Sequence, residues 1–273
     1  SGLMAITCAA NQIRCGESDI IVAGGVESVS LVTTTRNSFR SEEAWLSENC
    51  PGIYWQMIRT AEYVADKYGV SREAQDAYSL QSQVRTAEAQ KAERFAEEIV
   101  PITTIKTLRN KQGEDIGEEE VTLASDECNR PETTMEGLQG LKAVESEGRF
   151  VTAGNASQLS DGAAACVVME KSVAEKRGLE PLGIYRGMAV SGCDPREMGI
   201  GPVYSVPQLL KRFDLTVGDI GLWELNEAFA SQVLYCRDAL GIPDERLNVN
   251  GGAIAIGHPF GMTGARCVMH ALI

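Results

Sequence analysis

A chain of 273 residues, 44% hydrophobic and 23% charged, is long enough to bury a large core as two domains or one large α/β unit, and has the make-up of an ordinary soluble globular protein. No apolar run approaches the roughly 18 residues of a spanning helix, and no basic segment followed by an apolar one opens the sequence. The net charge of −13 argues against nucleic acid as the main partner, since a phosphate backbone needs a concentrated basic face. Eight cysteines without a C-x-x-C pair, beside only two histidines, argue against a zinc site. Reduced thiols in the cytoplasm or an organelle matrix fit best.

Leu3, Ile6, Ala10 and Ile13 fall on one face of a helix over residues 3–14, with Gly16 as its stop. Ser1 then stands at the helix N-terminus, where unpaired amides and the positive end of the dipole would stabilise a thiolate placed just before it. DIIVAGG, 19–25, reads as a short apolar strand of the kind buried inside a parallel sheet. From about residue 31 the chain turns polar and aromatic, which predicts a looser subdomain. Two amphipathic helices follow at 60–69 and 71–95, the first ended by Gly69 and the second capped by Ser71. Residues 99–106 predict a strand, the acidic stretch 114–120 a solvated connection, and 133–141 a helix.

AAACVVM at 163–169 returns the chain to the first sheet, and 171–178 is a short helix ending at Gly178. The order then repeats as strand 182–190, helix 205–213, strand 220–226, helix 227–241, and a strand leading to a turn at His258 and a last helix. Such alternation implies a layered α/β fold with buried sheets. Cys8, Cys15 and Cys267 lie away from any helix N-terminus that would activate a thiol, and most of the cysteines are expected to be small core residues.

Four motifs stand out: AGGVES at 23–28, AGNASQLSDGAA at 153–164, WELNEAFASQ at 223–232 and NGGAIAIGHPFGMTGAR at 250–266. The last breaks an apolar run at glycines and delivers one histidine, His258, onto a turn ahead of Pro259. The third presents a carboxamide, Asn226, at a strand-to-helix junction. In this order the motifs resemble the thiolases, the acyl-CoA acyltransferases. The resemblance implies a five-layered αβαβα fold with two related βαβ halves: residues 1–30 and 158–181 for the N-terminal half, 182–273 for the C-terminal half, and 31–157 as an inserted loop domain over the site. It also implies a homodimer or homotetramer.

Thiolases carry a nucleophilic cysteine just before the Ser-Gly-Leu that here is Ser1, Gly2 and Leu3, and a second in a Cys-x-Gly motif. Neither lies in this sequence, so the polypeptide as it stands is expected to be inactive. By resemblance, His258 takes the thiol proton and binds the reacting thioester oxygen together with a water held by Asn226. Ser157 touches the pantetheine of CoA, Arg130 its nucleotide, and Met57, Ala228 and Phe229 line the acyl pocket. Gln56 stands where some short-chain members have a histidine, and Glu145 where a relative has an aromatic residue beside the pantetheine.

CoA and acyl-CoA are substrates in this reading, with no permanently bound cofactor. Because the global charge repels CoA, binding rests on local contacts and backbone dipoles. The same residues have plainer readings: His258 capping the next helix, Asn226 as N-cap of a helix over 227–240, Ser157 in an ordinary turn, Arg130 on a solvated surface, Phe229 in the core. A non-catalytic acyl-CoA-binding or lipid-binding relative would keep the fold without the nucleophile. A ketoacyl synthase would pair two histidines, and His270, midway along a helix, is poorly placed for that.

Overall fold

Helix α1 runs from Gly2 to Arg14 with Ser1 as its N-cap, and the chain leaves it through Gly16 at a left-handed φ of 76°, which glycine adopts without strain. The structure is a computed structural model and describes residues 1–33, 35–146 and 149–273; Thr34, Glu147 and Gly148, within the expected loop domain, lie outside the described residues. The face of α1 that is buried consists of Ile6, Thr7, Ala9 and Ala10, so Leu3, expected inside, is instead exposed.

This helix packs on an antiparallel ribbon of β1 (Ile20–Glu27) and β4 (Gly162–Met169), in register from Ile20 opposite Met169 to Glu27 opposite Gly162. Ile6, Ala9, Ala23 and Ala265 form its core with Ile21, Cys166 and Val168. The reading of β1 as a strand within a parallel sheet is therefore corrected. Its alternate residues Val22 and Val26 are exposed, as in an antiparallel ribbon covered on one side.

Short helices α2 (Val29–Val32) and α3 (Ala44–Asn49) precede the two long ones, α4 (Met57–Tyr68) and α5 (Arg72–Lys91). As expected, Gly69 ends α4 at φ 66°, and the Ser71 hydroxyl accepts from the Ala74 amide at 3.2 Å. β2 (Ile102–Arg109) and β3 (Asp115–Leu123) then form a hairpin. The acidic stretch 114–120 is solvated as expected but is a strand, not a connection; its carboxylates face water while its backbone pairs with β2. Helix α6 (Met135–Gln139) is capped by Thr134, and α7 (Lys171–Lys176) follows β4.

In the C-terminal part, α8 (Pro202–Arg212), α9 (Ala230–Leu240), α10 (Ala253–Ile256) and α11 (Thr263–His270) form, but the strands expected between them do not. Residues 182–190 make no ladder; Leu182, Ile184 and Val190 are exposed, and Arg212 holds the Met188 carbonyl at 2.7 Å. Residues 220–226 make a single parallel bridge, Trp223 to Leu247. The next rung is a side chain, because Asn248, at φ 45°, turns the backbone away. Its carboxamide instead accepts from the Leu225 amide at 2.9 Å and donates to the Leu225 carbonyl at 2.8 Å. The strand expected before His258 is replaced by the helical turn α10.

Cores under α9 join the two parts of the chain. Tyr78 of α5 packs with Val233, Leu234, Leu247 and Ile254, and Val64 of α4 packs with Ile200 and Cys236. Of the eight cysteines only Cys236 is buried, which corrects the expectation that most are core residues. Asn248→Ala removes bonds to two backbone groups of Leu225 in a fully buried setting, so it is expected to lower the unfolding free energy by about 3 kcal/mol. Thr103→Ala on the exposed hairpin is expected to change it by less than about 0.5 kcal/mol. Urea melts of the two variants check this, and equal losses would contradict it.

Candidate active site

Three turns meet where the first core and the α9 core adjoin. The 153–158 segment is anchored by Asn155, fully buried, whose Nδ2 donates to Asp76 at 3.1 Å and to the Phe150 carbonyl at 3.0 Å. From there it is tied to the Asn226 motif: the Ala230 amide donates to the Asn155 carbonyl at 2.9 Å and the Ser157 amide to the Ala228 carbonyl at 3.0 Å. The third turn closes on it through the His258 amide, which donates to the Gln158 carbonyl at 3.0 Å. Thus AGNAS, NEAF and GHP, far apart in sequence, share one backbone framework.

Helix α9 begins at Ala230, not at 227, since Phe229 is extended (φ −148°, ψ 143°) and bridges Ala156. Asn226 is therefore not its N-cap. Its carboxamide points to the imidazole, with Nδ2 3.2 Å from His258 Nε2, while Oδ1 is buried without a partner among the described residues. On the far side of the ring, Nδ1 lies 2.7 Å from the Thr263 hydroxyl, which donates to the Pro259 carbonyl at 3.0 Å. As placed, these bonds put the ring hydrogen on Nδ1 and leave the Nε2 lone pair facing Asn226. His258 caps no helix; its ring is held by a side chain of α11.

Burial, with a smaller contribution from Arg266, pulls the His258 pKa down to about 4, because a half-buried site disfavours the imidazolium. The ring is a neutral proton acceptor at neutral pH. Glu224, two residues before Asn226, is pushed up to about 7 by burial, against the pull of Arg266 and His270. Glu224 lies in the field of Arg266 and His270 of α11, whereas Leu225 packs into the α9 cores and Glu227 is bonded to Tyr78 and Ser82 of α5. His270 pairs with Glu98 at 2.7 Å; burial opposes its charge, and that bond outweighs it, so its pKa is raised. Burial pushes the Cys236 thiol up to about 12 and raises Cys166 and Cys267 as well, so none of these three is an activated nucleophile.

Ser157, Ala228 and Phe229 lie in the shared framework and are half-buried. Met57 opens α4, half exposed, one helical turn before Ala61, whose carbonyl takes the Ser231 hydroxyl bond at 3.1 Å from the first turn of α9. Arg130 is exposed, and among the described residues only its backbone is anchored, the amide donating to Gln83 Oε1 at 2.8 Å. A cavity of about 560 Å³ beside α4 is lined by Trp55, Arg59, Tyr63 and Arg149, with Glu145 on its wall. Neither His258 nor Asn226 borders it. Glu145 is exposed, so its carboxylate meets no burial cost. Thr263 and Gln158 escaped the sequence reading, whereas Glu227 reads in the sequence only as a charge that favours the N-terminus of the helix that follows.

Residues 1–172 match the thiolase N-terminal domain and residues 179–273 the thiolase C-terminal domain. The mouse protein "3-ketoacyl-CoA thiolase B, peroxisomal" is 47% identical over 272 residues, spanning 100% of this chain and 63% of its own length. The dimeric peroxisomal thiolase of Saccharomyces cerevisiae superposes with a TM-score of 0.90 at 37% identity, over 100% of this chain and 67% of its own. Human mitochondrial 3-ketoacyl-CoA thiolase in complex with CoA gives 0.84 at 37% identity, over 100% and 68%. The chain belongs to the thiolase family and has the thiolase α/β fold.

With only two histidines, the electrostatics can be read directly by NMR titration of the ring nitrogens. One imidazole, removed by His258→Gln, is expected to titrate near 4, and the other above its ordinary 6.5. The linkage signs are opposite. As pH falls from 6.5 towards 4, the unfolded chain protonates at position 258 before the native one does, so that residue lowers stability across this window. His270 stabilises below 6.5, and its contribution is lost as pH rises through its raised native value. Two midpoints together near 6.5 would contradict the arrangement.

Proposed function

We propose that this chain carries the acid–base and oxyanion groups of an acyl-CoA C-acyltransferase. The reaction cleaves a 3-ketoacyl-CoA with CoA, or in reverse condenses two acyl-CoA thioesters, through an acyl-cysteine intermediate. The observation that carries it is the 3.2 Å contact between His258 Nε2 and Asn226 Nδ2, a neutral base and a carboxamide at one point. In cleavage, a cysteine thiol gives its proton to Nε2 as its sulfur bonds to the keto carbon. The bond between that carbon and the α-carbon breaks, its electron pair goes to the α-carbon, and a proton from a second cysteine completes acetyl-CoA. The CoA thiol then gives its proton to the second cysteine's thiolate as its sulfur bonds to the acyl carbon, and the first cysteine's sulfur leaves and takes back the proton held by His258.

Negative charge on the thioester oxygen would be met by the imidazole, once it carries the proton, and by a water held on Asn226 Oδ1. Support for the thiol's position comes from the packing of α1 on α11. A Cβ on Gly2 would stand 2.6 Å from the Ala265 nitrogen, and one on Gly264 2.5 Å from the Leu3 nitrogen. A sulfur just before Ser1 would therefore sit close to the His258 turn and at the positive end of the α1 dipole, which favours the thiolate.

Ser157 and Arg130 are assigned to the pantetheine and nucleotide of CoA, and Met57, Ala228 and Phe229 to the acyl group, with 31–157 as the inserted segment. CoA is a substrate here, not a resident cofactor. The yeast relative is named dimeric, and a homodimer or homotetramer is the assembly assigned here. Relatives named peroxisomal and mitochondrial favour an organelle matrix in a eukaryotic cell, and the cytoplasm otherwise. No helix among the described residues is long and apolar enough to cross a membrane.

A thiolysis assay with 3-ketoacyl-CoA and free CoA, on a protein that carries this chain together with both cysteines, tests the reading. His258→Ala is expected to lower kcat/KM by on the order of 100-fold or more, and Asn226→Ala by roughly 10- to 100-fold. A His258→Ala protein that keeps the parent rate would overturn the assignment.

A further inference from the structure

Glu227 is 1% exposed, and no salt bridge reaches it among the described residues. Four neutral donors converge on it instead. Oε1 accepts from the Tyr78 hydroxyl at 2.7 Å and Asn248 Nδ2 at 3.1 Å, and Oε2 from the Ser82 hydroxyl at 2.7 Å and the Ile254 amide at 3.1 Å. Two acceptor oxygens, each with two lone pairs, are filled by these four bonds. Tyr78 and Ser82 are one turn apart on the same face of α5, Asn248 ends the bridged stretch after Trp223, and Ile254 lies in α10, just before Gly257 and His258.

The clamp is closed on every side. A Cβ on Gly252 would lie 2.6 Å from the Glu227 carboxyl carbon, and the Gly252 amide donates to the Ser82 hydroxyl at 3.2 Å. One Asn248 Nδ2 hydrogen goes to the Leu225 carbonyl, and the other is shared between Glu227 Oε1 and the Tyr78 hydroxyl, 3.1 Å from each. A buried carboxylate without a counter-ion is a poor source of stability. What a fully satisfied network supplies is one geometry in place of several.

We propose that Glu227 is a positioning residue for the Asn226–His258 pair: it pins the peptide that carries the carboxamide to the turn that carries the imidazole, with α5 of the inserted segment as the fixed post. This rests on the acyl-transfer reading for its catalytic consequence, but not for its geometric one. Glu227 touches neither the imidazole nor a substrate. It sets the separation of two groups on which an oxygen has to fit, and a misplacement of about 1 Å in such a pair costs on the order of 100-fold in rate. The helix expected merely to cover the site thereby takes part in its alignment.

Glu227→Gln keeps the size of the side chain and puts an amide nitrogen against two donors. In a protein that also carries both cysteines, its kcat for thiolysis is expected to fall by on the order of 10- to 100-fold, with KM changed by less than about threefold. In the same protein the His258 imidazole should titrate above its parent midpoint of about 4, since a loosened pair admits water to the ring. Tyr78→Phe and Ser82→Ala each remove one donor and leave the carboxylate. They should shift both readouts in the same direction by less, and Tyr78→Phe should add little to Glu227→Gln. If Glu227→Gln does not fold, these two variants decide the matter.

Folded variants with parent kcat, or with reduced kcat and an unmoved His258 midpoint, overturn the proposal. If a parent protein that carries both cysteines performs no thiolysis, the acyl-transfer reading fails on its own, and the His258 midpoints of the variants still decide whether Glu227 aligns the pair.

Discussion

The hydrogen bond between Asn226 and His258 is the contact to which the rest of the molecule is subordinate. It needs two turns from different parts of the chain to arrive with their side chains facing, and neither turn is regular structure that would hold itself. Backbone bonds through Asn155, Ser157 and Gln158 supply the frame, and Thr263 fixes the ring from behind at 2.7 Å. Glycine makes the close passages possible: a Cβ on Gly25 would collide with the Gly261 carbonyl, so β1 could not otherwise lie against the loop after His258.

Much of this was legible in the sequence, for identifiable reasons. Helix ends marked by Gly16, Gly69, Ser71 and Gly178 were readable because capping is local chemistry. The four motifs were readable because glycine, proline and a lone histidine in one stretch leave few conformations. The strands at 182–190 and 220–226 were misread because an apolar run states burial, not a partner. A strand exists only when another backbone completes its ladder, and at 225 the partner is the Asn248 side chain. The direction of β1 was lost for the same reason, since alternation in one strand says nothing about its neighbour. Glu227 was hidden by its neighbours, because a glutamate beside a helix start looks like a favourable charge for the dipole until Tyr78 and Ser82 arrive from 149 and 145 residues away.

Two carboxylates on the same stretch, Glu227 buried and Glu224 half-buried, meet opposite surroundings. Glu227 faces α5 and has four donors. Glu224 faces α11 with one oxygen unpartnered among the described residues, and burial raises its pKa to about 7. The first environment is suited to holding a shape, the second to carrying a proton near neutral pH. Burial keeps His258 uncharged, and Arg266, which lies in the second environment, adds to this from α11.

The central claim is that one imidazole and one carboxamide form a receptor for an oxygen. A crystal structure of the protein with an acyl-CoA bound tests it most directly. The account predicts the thioester oxygen within hydrogen-bonding distance, about 3 Å, of His258 Nε2, with the Asn226 carboxamide reaching the same oxygen directly or through one water. A thioester bound more than about 6 Å from both side chains, beyond the span of one bridging water, would contradict it.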